Sequence, residues 1–177
     1  MIILIDQDET IAGFNDRFQE LWKQIHPGEI LIPTEQYKSF TISEQYPPEL
    51  KEKIEAIYTS PGFIASLPPI EGSLKAIHEM IHAGHDVRIC TAPLRTYKNC
   101  VAEKYEWIEK HLGKEFIRRI ILTKDKTLIR GDILIDDNKK VEGILTPTWN
   151  HIIFDRPYNR DASGPRLYSW KEWKKVL

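Results

Sequence analysis

Several short apolar segments of this chain are each followed by a polar, reactive side chain. The first, Ile2–Ile5, runs directly into Asp6, a later one ends in Thr91, and another is followed by Asp136. Short isoleucine-rich runs of this kind are typical of strands buried on both faces of a parallel sheet. This feature restricts the chain to folds in which helices cover a parallel sheet.

Helical patterns lie between these apolar runs. Residues 72–82 and 98–112 place apolar side chains three and four positions apart, which is the spacing of one helix face. Two more short apolar runs follow, at 120–122 and 151–154. Because strands alternate with helices, we predict an α/β fold with a Rossmann-like open parallel sheet and right-handed crossovers.

The segment 16–69 interrupts this alternation. It combines two helical patterns with a middle part rich in proline, and it carries many aromatic side chains. A segment of this composition between the first strand and the next strand–helix unit predicts a small helical cap inserted after the first strand. Residues 1–15 and 70–177 would then form the α/β core.

Charge and hydrophobic content exclude several classes of protein. The 177 residues are 41% hydrophobic, and 25 Lys and Arg oppose 26 Asp and Glu, for a net charge of -1. This balance gives no electrostatic reason to bind a nucleic-acid polymer or a membrane. No apolar run approaches the roughly 20 residues of a membrane span, and the two cysteines form no disulfide framework. We therefore expect a soluble cytoplasmic protein with reduced thiols.

Four carboxylates are expected at one edge of the predicted sheet. Asp6 and Asp8 follow the first strand, and the adjacent Asp136 and Asp137 follow a later one. Ligands of open parallel sheets bind outside the carboxyl ends of the strands. A lone aspartate at a strand end is more often a turn or capping residue, but four together repel unless a cation joins them. Oxygen ligands of this type favour Mg2+.

A hydroxyl and an ammonium complete a set that suits phosphoryl chemistry. Thr91 ends the second strand, and Lys126 follows the 120–122 run. A cation and a lysine spread the charge of a transferring phosphoryl group, while a hydroxyl positions its oxygens. One aspartate can attack phosphorus to form an aspartyl phosphate, and a second can serve as acid and base.

These residues resemble a known pattern. The order Asp6-x-Asp8, Thr91, Lys126 and Asp136-Asp137 resembles the four motifs of the haloacid dehalogenase (HAD) superfamily of phosphatases. Within it, the chain is similar to the 5'(3')-deoxyribonucleotidases over nearly its whole length. The resembling segments are SEQY (43–46), PGF (61–63), ICTAP (89–93), EKYEWIEKHLG (103–113), RIILTKDKT (119–127) and GDILIDD (131–137).

The resemblance implies a role for each aspartate. Asp6 would be the nucleophile and a metal ligand, and Asp8 would be the general acid and base and offer its backbone carbonyl to the metal. Asp137 would be the third ligand of a Mg2+ ion, with Asp136 supporting the site.

The resemblance also implies which residues bind the substrate. Thr91 would hold the phosphoryl oxygens, and Lys126 would neutralise them and orient Asp6. The remaining pocket residues, some of them on the cap, would be Phe14, Phe40 and Tyr58 around sugar and base, with Arg95 and Lys104 as further phosphate contacts. Without the resemblance, the aromatic side chains of the cap are more often core than ligand wall.

Three positions depart from the family pattern. Glu9 stands where the animal enzymes have glycine, Thr41 where one of them has tryptophan, and Ala92 where they have serine. The first adds a charge beside the nucleophile loop, and the other two alter the surroundings of the base and the phosphate. None of the three removes a catalytic group.

The function implied is that of a Mg2+-dependent phosphatase. Its substrate would be a deoxyribonucleoside 5'- or 3'-monophosphate such as dUMP or dTMP, and related enzymes are often homodimers. Two alternatives stay open. One is the same chemistry on another small phosphomonoester, and the other is a receiver-like domain that is phosphorylated on aspartate and acts as a switch. A receiver, however, lacks the Asp-x-Asp loop and a large insertion after its first strand.

Overall fold

A single parallel sheet forms the centre of the protein, whose residues 1–177 are all described by a computed structural model. The six strands lie in the order β3-β2-β1-β4-β5-β6, and every neighbouring pair is parallel. The strands are β1 (Ile2–Ile5), β2 (Asp86–Thr91), β3 (Ile120–Leu122), β4 (Ile133–Asp136), β5 (Asn150–Phe154) and β6 (Arg166–Leu167). The predicted α/β open parallel sheet is therefore confirmed.

Four α-helices accompany the sheet. They are α1 (Phe14–Ile25), α2 (Lys51–Tyr58), α3 (Ser73–His82) and α4 (Cys100–Leu112). Helix α3 begins after Gly72, whose φ of 80° lies in the left-handed region that glycine adopts without strain. Helix α4 ends at Leu112, and the glycine that follows it, Gly113, also has a positive φ, of 92°. None of these helices is both long and apolar enough to cross a membrane.

The segment between β1 and α3 packs onto the sheet through a shared core. One cluster of 34 buried apolar residues includes Phe18 and Trp22 of α1, Ile54 of α2, and Ile3 and Ile89 of the sheet. Helices α1 and α2 are joined by short 3-10 turns rather than by further strands. The division into a cap at 16–69 and a core stays a prediction.

Candidate active site

The order of the strands brings the predicted residues together. Strand β1 lies between β2 and β4, and Ile5 is in register with Ile89 on one side and Ile135 on the other. The residues just beyond these positions, Asp6 and Thr91 among them, therefore emerge at one edge of the sheet. This edge is where open parallel sheets bind their ligands.

Three carboxylates meet at this edge. Oxygen atoms of Asp6, Asp136 and Asp137 lie within 4.8 Å of one another, and all three side chains are buried. Burial raises the pKa of Asp6 to about 6, Lys126 opposes that rise, and Asp136 adds to it. Burial and the charges of Asp136 and Asp6 raise the pKa of Asp137 well above its usual range. Such an oxygen-only cluster fits a hard divalent cation such as Mg2+.

Lys126 pairs with two of these carboxylates. Its Nζ atom lies 2.7 Å from Asp6 Oδ1 and 2.5 Å from Asp136 Oδ2. Burial opposes the charge on Asp136, but the Lys126 ammonium and the backbone N–H of Asn138 together lower the pKa of that carboxyl. Although burial lowers the pKa of Lys126, its two carboxylate partners raise it more. Both oxygens of Asp136 thus accept hydrogen bonds, from Lys126 and from Asn138, whereas Asp6 accepts from Lys126 at Oδ1 only. Asp6 and Asp137 are therefore the better candidates to hold a cation.

A second buried lysine, Lys104 on α4, reaches the site from the other side. Its Nζ lies 2.8 Å from Asp8 Oδ2 and 3.1 Å from Thr91 Oγ1. The neighbouring Glu103 accepts hydrogen bonds from backbone N–H groups at 62, 64 and 65 and from the Tyr97 hydroxyl. Helix α4 therefore fixes Lys104 between Asp8 and Thr91 while it anchors the chain that returns from α2.

A cavity of about 220 Å3 adjoins the carboxylates. Three of the predicted pocket residues line this cavity: Phe14, Phe40 and Tyr58. The other two, Lys104 and Arg95, do not line it, and Arg95 is exposed to solvent. The full lining is Asp8, Glu9, Phe14, Asn15, Phe40, Thr41, Ile42, Tyr58, Leu94, Asp137 and Tyr158. The cavity thus has carboxylates at one end and aromatic side chains along its walls.

Comparison with known proteins shows which family this chain resembles. The family described as "5' nucleotidase, deoxy (Pyrimidine), cytosolic type C protein" matches residues 1–177. The human cytosolic 5'(3')-deoxyribonucleotidase is 42% identical over 185 aligned positions, covering 99% of this chain and 92% of its own. The chain belongs to the 5'(3')-deoxyribonucleotidase family. A Bordetella pertussis protein whose name includes 5'(3')-deoxyribonucleotidase is 49% identical over all of this chain and 95% of its own.

Solved structures agree on the fold. A HAD family hydrolase from Deinococcus radiodurans, with bound phosphate and sodium, has a TM-score of 0.61 at 16% identity. That likeness covers 97% of this chain and 92% of the other. The protein is accordingly a phosphoric monoester hydrolase with the HAD fold.

Glu9, where the resemblance leads us to expect glycine, has an unusual backbone. Its φ of 56° places it in the left-handed region, where glycine is favoured. Arg156 Nε donates to the Glu9 carbonyl oxygen at 2.7 Å and lies 3.1 Å from its Oε2, and the N–H of Asn15 donates to Oε1 at 2.8 Å. Burial raises the pKa of the Glu9 carboxyl, and Arg156 opposes that rise. These contacts hold the glutamate in a conformation that it rarely adopts.

The turn after β5 contributes residues that the sequence analysis missed. The Tyr158 hydroxyl donates to Asp137 Oδ2, and Asn159 Nδ2 donates to the Asp137 carbonyl oxygen at 2.7 Å. The sequence did contain an indication of their role, because this turn also follows the carboxyl end of a parallel strand. The pattern of apolar runs alone, however, does not show that β5 lies beside β4.

Proposed function

We propose that this family member is a Mg2+-dependent phosphatase that hydrolyses deoxyribonucleoside monophosphates through an aspartyl phosphate. One observation carries the proposal. Asp6 sits in a buried carboxylate cluster, while Asp8, two residues on, lines a cavity with aromatic walls. A nucleophile beside a cation site and an acid beside a substrate cavity are the two parts that phosphomonoester hydrolysis requires.

Three groups would hold the cation: the carboxylates of Asp6 and Asp137 and the backbone carbonyl of Asp8. The donor set supports Mg2+, because it consists of oxygen atoms only and its two carboxylates belong to one buried cluster. Bound there, Mg2+ supplies positive charge that stabilises the transferring phosphoryl group.

Asp6 is the proposed nucleophile. Lys126 occupies Asp6 Oδ1, so that Oδ2 is the oxygen that attacks phosphorus. The new bond from Asp6 to phosphorus forms as the bond from phosphorus to the ester oxygen breaks. Water then attacks the phosphorus of the aspartyl phosphate, which releases inorganic phosphate and restores the Asp6 carboxylate.

Asp8 is the proposed general acid and base. Lys104 occupies its Oδ2, whereas Asp8 Oδ1 is buried without a hydrogen-bond partner. We assign the mobile proton to this free oxygen. It passes to the leaving nucleoside oxygen in the first step, and the attacking water returns a proton to it in the second.

Thr91 and the two buried lysines would hold the phosphoryl oxygens. The Thr91 hydroxyl lies at the end of β2, and Lys104 Nζ is 3.1 Å from it. The Lys126 Nζ atom contacts both Asp6, which follows β1, and Asp136 of β4. Two buried ammonium groups, one in contact with Asp6 and the other with Asp8, favour binding of an anionic ester.

A pyrimidine nucleotide such as dUMP or dTMP suits the cavity. Phe14, Phe40 and Tyr58 offer aromatic faces for a flat base, and a volume of about 220 Å3 favours the smaller bases. The "Pyrimidine" in the family's description supports the same choice. Glu9 and Thr41 also line this cavity. Because they add polar groups to it, the second candidate substrate is another small phosphomonoester.

We extend the proposal to the setting of the enzyme. Residues 16–69 act as a cap that carries the aromatic walls Phe40 and Tyr58 and closes over the nucleotide. The protein acts in the cytoplasm, forms a homodimer, and takes a small nucleotide rather than a nucleic-acid polymer. The cytosolic name of the human relative supports the compartment.

Phosphate release from a panel of esters tests the proposal. The panel contains 5'- and 3'-deoxyribonucleotides, ribonucleotides and sugar phosphates, each assayed with Mg2+ and with EDTA. We expect release that needs Mg2+ and is fastest with dUMP or dTMP. Faster release from sugar phosphates would support the second candidate, and a stable phosphoprotein without release would instead support the receiver-like switch.

A further inference from the structure

Tyr158 touches both halves of the candidate site. It lies in the turn after β5, is 3% exposed, and its ring lines the cavity. Its hydroxyl donates a hydrogen bond to Asp137 Oδ2. A buried tyrosine hydroxyl needs a partner, and here the partner is a member of the carboxylate cluster.

The surroundings of Asp137 show how the hydroxyl acts. Thr10 Oγ1 reaches Asp137 Oδ1 only at 3.5 Å, a long contact that restrains the carboxylate weakly. Asn159 fixes the Asp137 backbone through its carbonyl oxygen. Tyr158 therefore makes the short contact that sets the rotation of the carboxylate plane.

The same ring also contacts the predicted cap. The Tyr158 and Phe40 rings meet edge to face, with centroids 5.9 Å apart and planes at 87°. Phe40 is itself half open to solvent, and its ring lines the cavity. One side chain thus contacts the carboxylate cluster through its hydroxyl and the cavity wall through its ring.

We propose that Tyr158 is a positioning residue that orients Asp137 toward the cation through its hydroxyl, while its ring supports the wall of the substrate cavity. This inference rests on the proposed function, since it requires Asp137 to bind Mg2+. Partners that orient a ligand from outside its metal contribute about 10–100-fold to metal affinity.

Tyr158→Phe separates the two contacts, because it removes the hydroxyl and keeps the ring. We expect calorimetric titration with Mg2+ alone to show affinity about 10–100-fold weaker than in the unaltered protein. In phosphate-release assays, more Mg2+ should be needed for half-maximal rate. At saturating Mg2+, kcat should recover and KM for dUMP should stay unchanged, since Phe40 keeps its neighbour.

Two further variants control this experiment. Tyr46→Phe removes another buried tyrosine hydroxyl, one that accepts from the N–H of Ile32 at 3.3 Å, and should leave Mg2+ affinity unchanged. Tyr158→Leu removes hydroxyl and ring together, and should weaken Mg2+ binding and raise KM. Circular dichroism checks that each variant is folded.

The outcomes distinguish this inference from the proposed function. If Tyr158→Phe binds Mg2+ as tightly as the unaltered protein, the positioning role is wrong even though the phosphatase stands. A raised KM with unchanged Mg2+ affinity would also overturn it, because Tyr158 would then be a wall residue only. If the unaltered protein binds no Mg2+, the proposed cofactor fails and the inference fails with it.

Discussion

At the scale of single residues, charge balance governs the site. Lys126 is buried and lies between Asp6 and Asp136, so that one ammonium serves two carboxylates. Removing one member of a buried ion pair leaves the other charge without compensation, which costs about 3–5 kcal/mol. The lysine therefore stabilises the fold as well as the proposed chemistry.

Lys126→Met should reduce both stability and activity. We expect the free energy of unfolding to fall by about 3–5 kcal/mol, measured by urea denaturation, because two buried carboxylates lose their partner. Lys124→Met is the matched control, since Lys124 is exposed and its ammonium donates only to the carbonyl oxygen of Pro93, with no carboxylate partner. It should change stability by no more than about 0.5 kcal/mol. Equal stability of the two variants would contradict the assigned ion pair.

Sequence reasoning located the residues whose position follows from a strand end. Asp6, Thr91 and Asp136 end or follow predicted strands, and the structure places them at one edge of the sheet. Their catalytic roles came from the resemblance and stay predictions. The contact of Arg156 with Glu9 joins residues 147 positions apart, which no local pattern reveals.

At the scale of elements, the turn that carries Lys126 is held by the loop after β4. Asp125 accepts from the N–H of Thr127 at 2.9 Å and from the N–H of Ile144 at 2.8 Å. The backbone of Gly143 passes so close that an added Cβ would lie 1.8 Å from Asp125 Oδ1. Because Asp125 is fixed by these hydrogen bonds, it cannot move aside without releasing the turn.

Gly143→Ala should therefore displace Lys126 indirectly, by pushing on Asp125 in the same turn. We expect a loss of about 1–3 kcal/mol in stability, typical of overpacking, together with a lower kcat. Gly28→Ala is the control, since nothing lies within 4 Å of a Cβ there, and it should leave kcat unchanged. Thermal unfolding and phosphate release measure the two effects. A Gly143→Ala enzyme with normal kcat would show that the loop does not position Lys126.

The elements themselves were predictable where their patterns are long. The expected helices at 72–82 and 98–112 correspond to α3 and α4. The two-residue strand β6 was not foreseen, because so short a run carries no periodicity. The C-terminal segment forms a 3-10 turn at Trp170–Lys175. Trp170 there donates to the carbonyl oxygen of Thr10, a tertiary contact that outweighs local helix propensity.

At the scale of the whole molecule, one core joins the inserted segment to the sheet. The 34 buried apolar residues of that core extend from α1 and α2 to the strands. The carboxylate cluster lies at the edge of this core, where its mutual repulsion opposes folding in the absence of a cation. Metal binding and global stability should therefore be coupled.

Mg2+ should raise the thermal stability of the protein. At 100 times its Kd, a ligand that binds only the folded state adds about 2.7 kcal/mol, or roughly 5–10 °C in Tm for a chain of this size. The Tm measured in EDTA and in Mg2+ checks this. Asp137→Asn, which removes a proposed ligand, should abolish most of the increment. A Tm that is the same in both buffers would argue against a metal at this cluster.

The most direct test of the central claim is the rate of phosphate release from dUMP in Mg2+ by the unaltered protein, Asp6→Asn and Asp16→Asn. Asp16 is an exposed residue in the first turn of α1, and its variant should retain the full rate. Because the amide cannot form the phosphoryl intermediate, we predict that Asp6→Asn loses about a thousandfold or more while it stays folded. A near-normal rate for Asp6→Asn would contradict Asp6 as the nucleophile.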